Sequence, residues 1–165
     1  MDKIKQLFLL ALSTLTLYSA AAVYEKTVFA EWDKPSINVF YVLPQEVNDQ
    51  TEILFIIHGN SRNADGYIEV WANHAKDKNI ILIAPEFSRS KFSNYNTLQM
   101  SSSTGKILKN RDLYLNNSID IMFNHYKNLF GVKTDLYKIY GHSGGAQFVH
   151  RLSLIHISEP TRPTD

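Results

Sequence analysis

The stretch Leu136-Tyr137-Lys138-Ile139-Tyr140-Gly141-His142-Ser143-Gly144-Gly145 constrains the chain more than any other. A short apolar run breaks into a serine flanked by glycines and then into a helical pattern, which reads as strand, sharp turn and helix. A serine at the tip of such a turn is forced into a strained backbone conformation, and Gly141 and Gly145 leave room for strand and helix to close on one another. The hydroxyl of Ser143 is then presented clear of the sheet. The pattern Gly-x-Ser-x-Gly fixes only three positions, so its surroundings must carry the rest of the argument.

Those surroundings alternate in type. Thr27–Trp32 and Ser36–Leu43 are strand-like runs joined by a turn at Asp33-Lys34-Pro35, which predicts an antiparallel opening pair. Ile53-Leu54-Phe55-Ile56-Ile57 is apolar at every position, as a central strand covered on both faces is. Ala64, Ile68, Trp71 and Ala75 recur at helical spacing, with Asn63 or Asp65 as the cap. A second apolar strand, Ile80–Ala84, follows, and then a polar stretch from Pro85 to Leu108 without sustained period, which reads as a long loop. Leu115, Ile119, Met122, Tyr126 and Leu129 repeat as a helix that Gly131 is placed to stop. Alternating strands and helices predict an α/β fold, a mostly parallel sheet flanked by helices, because parallel strands need crossover connections.

Composition narrows the chemistry. The 165 residues carry a formal charge of +1 and no long basic run, which argues against nucleic acid as a partner. There is no cysteine, so a nucleophile must be an oxygen or an amine, and disulfides and thiolate metal sites are excluded. No histidine pair has zinc-ligand spacing backed by a third ligand. At the N-terminus, Lys3 and Lys5 precede an apolar run from Leu7 to Tyr18 and the small residues Ser19-Ala20-Ala21-Ala22. This reads as a signal peptide over residues 1–22, too short for a membrane span of ~20 apolar residues. It predicts an exported domain starting near Val23, with no stable membrane anchor after cleavage.

In parallel sheets, ligands bind at the carboxyl ends of the strands. Two stretches fall there: Gly141-His142-Ser143-Gly144-Gly145, and His58-Gly59-Asn60-Ser61-Arg62 after the strand ending at Ile57. Acyl transfer needs a nucleophile and two donors for the oxyanion that forms on the attacked carbonyl. The backbone N–H of Gly144 supplies one donor and, once Gly59 turns the chain inward, the N–H of Asn60 supplies the second. Ser143 also suits a plain helix N-cap. His58 fits a brace for the Asn60 loop better than a proton carrier, and chain adjacency points the His142 ring away from Ser143, toward shaping the turn or lining a pocket. His74 and His125 sit in expected helices. Arg62 suits a substrate carboxylate, a salt bridge or plain solvation, and Phe87, Phe92 and Tyr95 suit either an acyl pocket or loop anchoring.

His58-Gly59-Asn60, the helix around Trp71, Ala84-Pro85-Glu86 and the Gly-His-Ser-Gly-Gly turn together resemble the front part of an α/β-hydrolase. More narrowly they resemble secreted esterases of the polyhydroxybutyrate depolymerase and feruloyl esterase type, from about Ile37 to Leu152. The resemblance implies a serine esterase acting on small or polymeric esters, with Ser143 as nucleophile, Asn60 and Gly144 as oxyanion donors, and no cofactor. Peptidases and lipases share the fold, and a non-catalytic binding protein could retain it as a scaffold.

In that fold an acid and then a histidine follow the nucleophile. Only 22 residues follow Ser143, fewer than the ~30 of one βαβ unit. His150 and His156 do not occupy a loop after a late strand, and Asp120 and Asp135 precede the serine. The segment Ser153–Asp165, with two prolines, resembles a translated sequencing-adapter tail. The expectation is therefore a partial domain over 23–152, incomplete at its C-terminus, inactive alone and followed by a non-native tail over 153–165.

Overall fold

The structure, a computed structural model, describes residues 24–75 and 77–158. The expected signal peptide and the last residues of the expected tail lie outside them. Five strands, β1 (Glu25–Phe29), β2 (Ile37–Val42), β3 (Glu52–Ile57), β4 (Ile80–Glu86) and β5 (Tyr137–Gly141), form one sheet in the order β1-β2-β4-β3-β5. β1 and β2 pair antiparallel around the Asp33–Pro35 turn, and β2 is antiparallel to β4. β3 is parallel to both β4 and β5. Among the described residues three α-helices complete the α/β fold: α1 (Ala64–Ala75), α2 (Ser118–Phe130) and α3 (Gly144–Ser158).

The period-two geometry of a strand divides the central residues between two cores. On one face Ile53, Phe55 and Ile57 of β3 and Ile81 and Ile83 of β4 pack with Ile119, Met122 and Tyr126 of α2 and Phe148 and Leu152 of α3. On the other, Leu54, Ile56, Leu82 and Ala84 pack with Ala64 and Ile68 of α1. This explains the unbroken apolar runs of β3 and β4: neither face meets water. Each large aliphatic or aromatic side chain buried this way contributes about 1.5–3 kcal/mol. β5 is an edge strand, as β1 is at the other side, and none of the β5 residues is fully buried.

Local differences from the sequence reading have simple causes. The buried stripe of α1 is Ala64, Ile68 and Ala72, with Trp71 half-buried at its margin, because small alanines let the helix approach the sheet and the indole does not fit there. β4 extends through Pro85 to Glu86, since Pro85 pairs with Val39 of the antiparallel β2. α2 starts at Ser118, and Leu115 is buried in the preceding turn. Gly131 stops the helix as expected, in the left-handed region at φ 69°, with the Val132 N–H donating to the Lys127 carbonyl at 3.0 Å. α3 continues past Leu152 to Ser158, because no glycine or proline interrupts it before Pro160.

The stretch expected as a long loop after β4 is packed in its first part, through Gln99, and exposed from 103 to 107. One-turn 3-10 helices form at Tyr95–Thr97 and Arg111–Leu113. Phe87, Phe92, Tyr95 and Leu98 are fully buried, and Phe87 packs on Phe148 of α3 with ring centroids 5.3 Å apart. Of the two roles open to these aromatics, anchoring is the one the fold adopts.

Candidate active site

The register of the sheet brings the two sequence motifs together. Ile57, the last residue of β3, is paired with Gly141, the last residue of β5, so the turns that follow emerge side by side. The His142 N–H donates to the Ile57 carbonyl at 3.3 Å, holding the start of the second turn to the end of the first strand. Ser143 then takes φ 54°, the left-handed region that costs a residue with a Cβ about 1–2 kcal/mol. The turn closes through the Gly145 N–H, which donates to the His142 carbonyl at 2.8 Å, and α3 begins at Gly144. Ser143 is exposed at the tip, whereas Gly144 and Gly145 are buried.

Four glycines permit this crossing. A Cβ on Gly141 would overlap the Gly145 carbonyl, and one on Gly145 would overlap the carbonyl of Ile57. On Gly59 it would stand 3.5 Å from Cβ of Ser143 and 3.2 Å from the Tyr67 hydroxyl. A Cβ on Gly144 would overlap the Asn60 side chain and the Tyr95 hydroxyl. Ser143, Gly144, Gly59 and Asn60, singled out from the sequence, are thus neighbours in space.

His58 is fully buried behind them. Its Nε2 accepts the Phe87 N–H at 3.0 Å, and its Nδ1 lies 2.9 Å from the Gly59 carbonyl. These partners require an N–H at Nδ1 and a lone pair at Nε2, which is the neutral ring. Burial, the dominant cause, pushes its pKa down to about 4. With both ring nitrogens engaged, His58 ties the turn after β3 to the segment after β4 and has no free nitrogen for proton transfer. Arg62, also left-handed at φ 63°, stacks on Tyr95 with its guanidinium carbon 4.0 Å from the ring centroid. It donates to the carbonyls of Phe87, Phe92 and Ser93, so it is neither a surface charge nor half of a salt bridge.

His142 turns toward α1. Its Nδ1 is 2.6 Å from the Tyr67 hydroxyl, and both line an open cleft of about 400 Å³ with Ser61, Asn63, Trp71 and Tyr140. The Trp71 and Tyr140 rings lie 4.9 Å apart in its wall. The pocket-lining alternative for His142 therefore holds. Sequence reasoning passed over Tyr67; the signal was its place one residue before Ile68 in the stripe of α1, at the end of the helix nearest the turns.

The other candidate groups are elsewhere. Asp120 accepts the Tyr137 hydroxyl at 2.7 Å, and Asp135 is paired with Lys127 at 2.7 Å. His125 packs on Phe29, 5.1 Å between ring centroids, His74 is in the last turn of α1, and His150 is exposed on α3. Among the described residues no group of three or more histidine, aspartate and glutamate side chains could hold a metal ion.

A sheet with antiparallel opening strands, parallel centre and a left-handed serine between an edge strand and the next helix is an α/β-hydrolase fold, as in the solved structures to which this chain is similar. Its solved relatives include poly(aspartic acid) hydrolase-1 from Sphingomonas sp. KT-1, 37% identical, with a TM-score of 0.70 over 78% of this chain and 49% of that one. The poly(3-hydroxybutyrate) depolymerase LpqC from Bordetella parapertussis matches 83% of this chain and 47% of its own length, at 20% identity and a TM-score of 0.67. An acetyl xylan esterase from Aspergillus awamori matches 81% and 47%, at 16% identity and a TM-score of 0.60. The last two likenesses are of fold. The chain spans about half the length of these structures. No family model matches it, and no curated protein sequence does.

Proposed function

We propose that the full-length protein is an exported serine hydrolase of carboxylic esters. Ser143 is its nucleophile, and the N–H groups of Asn60 and Gly144 form the oxyanion hole. The observation that carries this reading is the left-handed Ser143, exposed at a turn whose flanking glycines admit no side chain, beside the Gly59-Asn60 turn. Backbone strain at an exposed hydroxyl is kept where the hydroxyl has a task. Oγ of Ser143 adds to the ester carbonyl, the alcohol leaves with a proton, and water then releases the acid from the acyl-serine. Each oxyanion donor is worth about 3 kcal/mol in such a transition state.

The proton on Oγ needs a base. His58 has both nitrogens engaged, and His142 is bonded to Tyr67 through Nδ1. Neither histidine beside Ser143 is free in this geometry to take that proton, and residues 1–165 alone are expected to be inactive. The neighbours named for polymers and esters support a small or polymeric ester substrate. Export rests on the Lys3–Ala22 pattern.

A second reading is favoured by the 37%-identical neighbour, a poly(aspartic acid) hydrolase, whose named substrate is amide-linked. The same acyl-serine chemistry serves both bonds. A fluorophosphonate probe applied to the full-length protein is expected to label Ser143 and to leave a Ser143→Ala variant unlabelled. Folded protein that resists labelling would instead be a binding protein on this scaffold. Turnover of p-nitrophenyl butyrate against release of aspartate from poly(aspartic acid) separates esterase from amidase.

A further inference from the structure

Tyr95 belongs to no sequence motif, yet its phenol stands where the two turns meet. Its hydroxyl donates to the His58 carbonyl at 2.8 Å, and a Cβ built on Gly144 would lie 2.6 Å from the same oxygen. One atom thus touches the turn that carries Asn60 and the backbone that follows Ser143. From the other side, the Arg62 guanidinium covers the ring and is itself pinned to the carbonyls of Phe87, Phe92 and Ser93. The next residue ties the segment to α3: Asn96 Nδ2 donates to Gln147 Oε1 at 3.1 Å, and its carbonyl accepts from Arg151 at 3.1 Å.

The backbone around Tyr95 carries independent signs of a held geometry. Leu98 and Gln99 are consecutive left-handed residues, at φ 56° and 55°, a conformation that side-chain-bearing residues keep only when their surroundings over-determine it. Here Leu98 is fully buried, its N–H donates to the Tyr95 carbonyl at 2.8 Å, and Gln99 Oε1 accepts the Asn94 N–H at 2.7 Å. The segment from Phe87 to Gln99 is therefore a rigid bridge between the Asn60 turn and the Ser143 turn.

We propose that Tyr95, clamped by Arg62, is the positioning residue of the oxyanion hole: its hydroxyl sets the separation of the Asn60 and Gly144 N–H groups. The proposal rests on the serine-hydrolase reading above. A hole of two donors works only when both reach the oxyanion at hydrogen-bond distance, and these donors come from different turns, both of which bear on the Tyr95 hydroxyl. Tyr95 is fully buried behind the two turns, so its effect is expected to fall on the transition state and to leave ground-state binding unchanged.

The test uses the full-length protein with p-nitrophenyl butyrate, and a trifluoromethyl ketone whose reversible adduct with the serine places an oxyanion in the hole. Tyr95→Phe keeps the ring, its packing and its contact with Arg62. It is expected to lower kcat between about 10-fold and 100-fold, the scale of a small misplacement of a catalytic group. KM should stay unchanged, and affinity for the ketone should fall by the same factor as kcat. Arg62→Met should move kcat and ketone affinity in the same direction by less. If Tyr95→Phe keeps wild-type kcat and ketone affinity while Ser143→Ala is inactive, Tyr95 is only a core residue and the positioning role is overturned; a lowered melting temperature alone would have that same meaning. If Ser143→Ala retains activity, the serine-hydrolase reading itself fails, and the positioning role with it.

Discussion

Gly145 lies against the carbonyl of Ile57 with no space for a side chain between them, and a Cβ there would also stand 2.6 Å from the His58 carbonyl. The first turn of α3 is thereby seated on the end of β3. The elements that carry the two turns are joined by backbone packing, which fixes them more rigidly than contacts between flexible side chains would.

Gly145→Ala should therefore be severe. Both obstructing atoms are backbone carbonyl oxygens, of Ile57 at the end of β3 and of His58 just after it, so relief requires a shift of β3 or α3. Overpacking of this kind costs about 1–3 kcal/mol, and here it also pushes the two turns apart. Urea denaturation should show a lowered midpoint with an unchanged slope, and fluorophosphonate labelling of the full-length variant should slow. A midpoint equal to wild type would mean that the turn is looser than drawn.

Gly131→Ala isolates the other reason for a glycine. Residue 131 has φ 69°, but a Cβ there meets nothing within 4 Å. Only the left-handed backbone is penalised, which predicts a loss of about 1 kcal/mol. Gly131→Asn should lose less, because asparagine tolerates that region. Labelling at Ser143 should be unaffected by either.

Much of this was legible in the residues because it depends on local pattern. The apolar runs at 53–57 and 80–84, the helical stripe ending at Gly131 and the Gly-x-Ser-x-Gly turn each carry their signal within one element. That both turns lie at the carboxyl ends of the strands also followed from the strand–helix alternation, whereas the pairing of Ile57 with Gly141 did not, because sheet order departs from chain order. The roles of Arg62 and Tyr95 were hidden. Their partners are backbone carbonyls, which no side-chain pattern encodes, and Tyr95 sits 37 residues from the carbonyl it meets. The segment after β4 looked loop-like because its buried aromatics are spaced by turns of irregular geometry and show no helical or strand period. The left-handed pair at Leu98 and Gln99 carries no glycine to announce it.

Stability should fall on acidification because of His58. Its pKa lies at about 4 in the fold, against an ordinary value near 6.5. The unfolded chain therefore takes up the proton first, and the fold loses stability as pH drops below about 6.5, until the ring protonates near pH 4. Between pH 7 and pH 5 this amounts to about 2 kcal/mol, at 1.36 kcal/mol per pH unit over the window. Urea midpoints measured at both pH values should show the loss. His58→Gln, which keeps an acceptor for the Phe87 N–H, should flatten the pH dependence whatever its own stability. An equally steep dependence in that variant would assign the effect to another group.

The strain at Ser143 gives the most direct separation of stability from chemistry. The side chain is exposed at the tip of the turn, and its backbone is held at φ 54°. Alanine at this position removes the hydroxyl but keeps a Cβ in the left-handed region, so Ser143→Ala should unfold at nearly the wild-type urea concentration. Glycine relieves the ~1–2 kcal/mol of steric cost while adding ~0.4–1 kcal/mol of disorder to the unfolded chain. Ser143→Gly should therefore exceed Ser143→Ala in stability by about 0.5–1 kcal/mol, and neither variant should react with the fluorophosphonate. Equal midpoints for the two variants would show that residue 143 is not strained, and would remove the main support for Ser143 as the nucleophile.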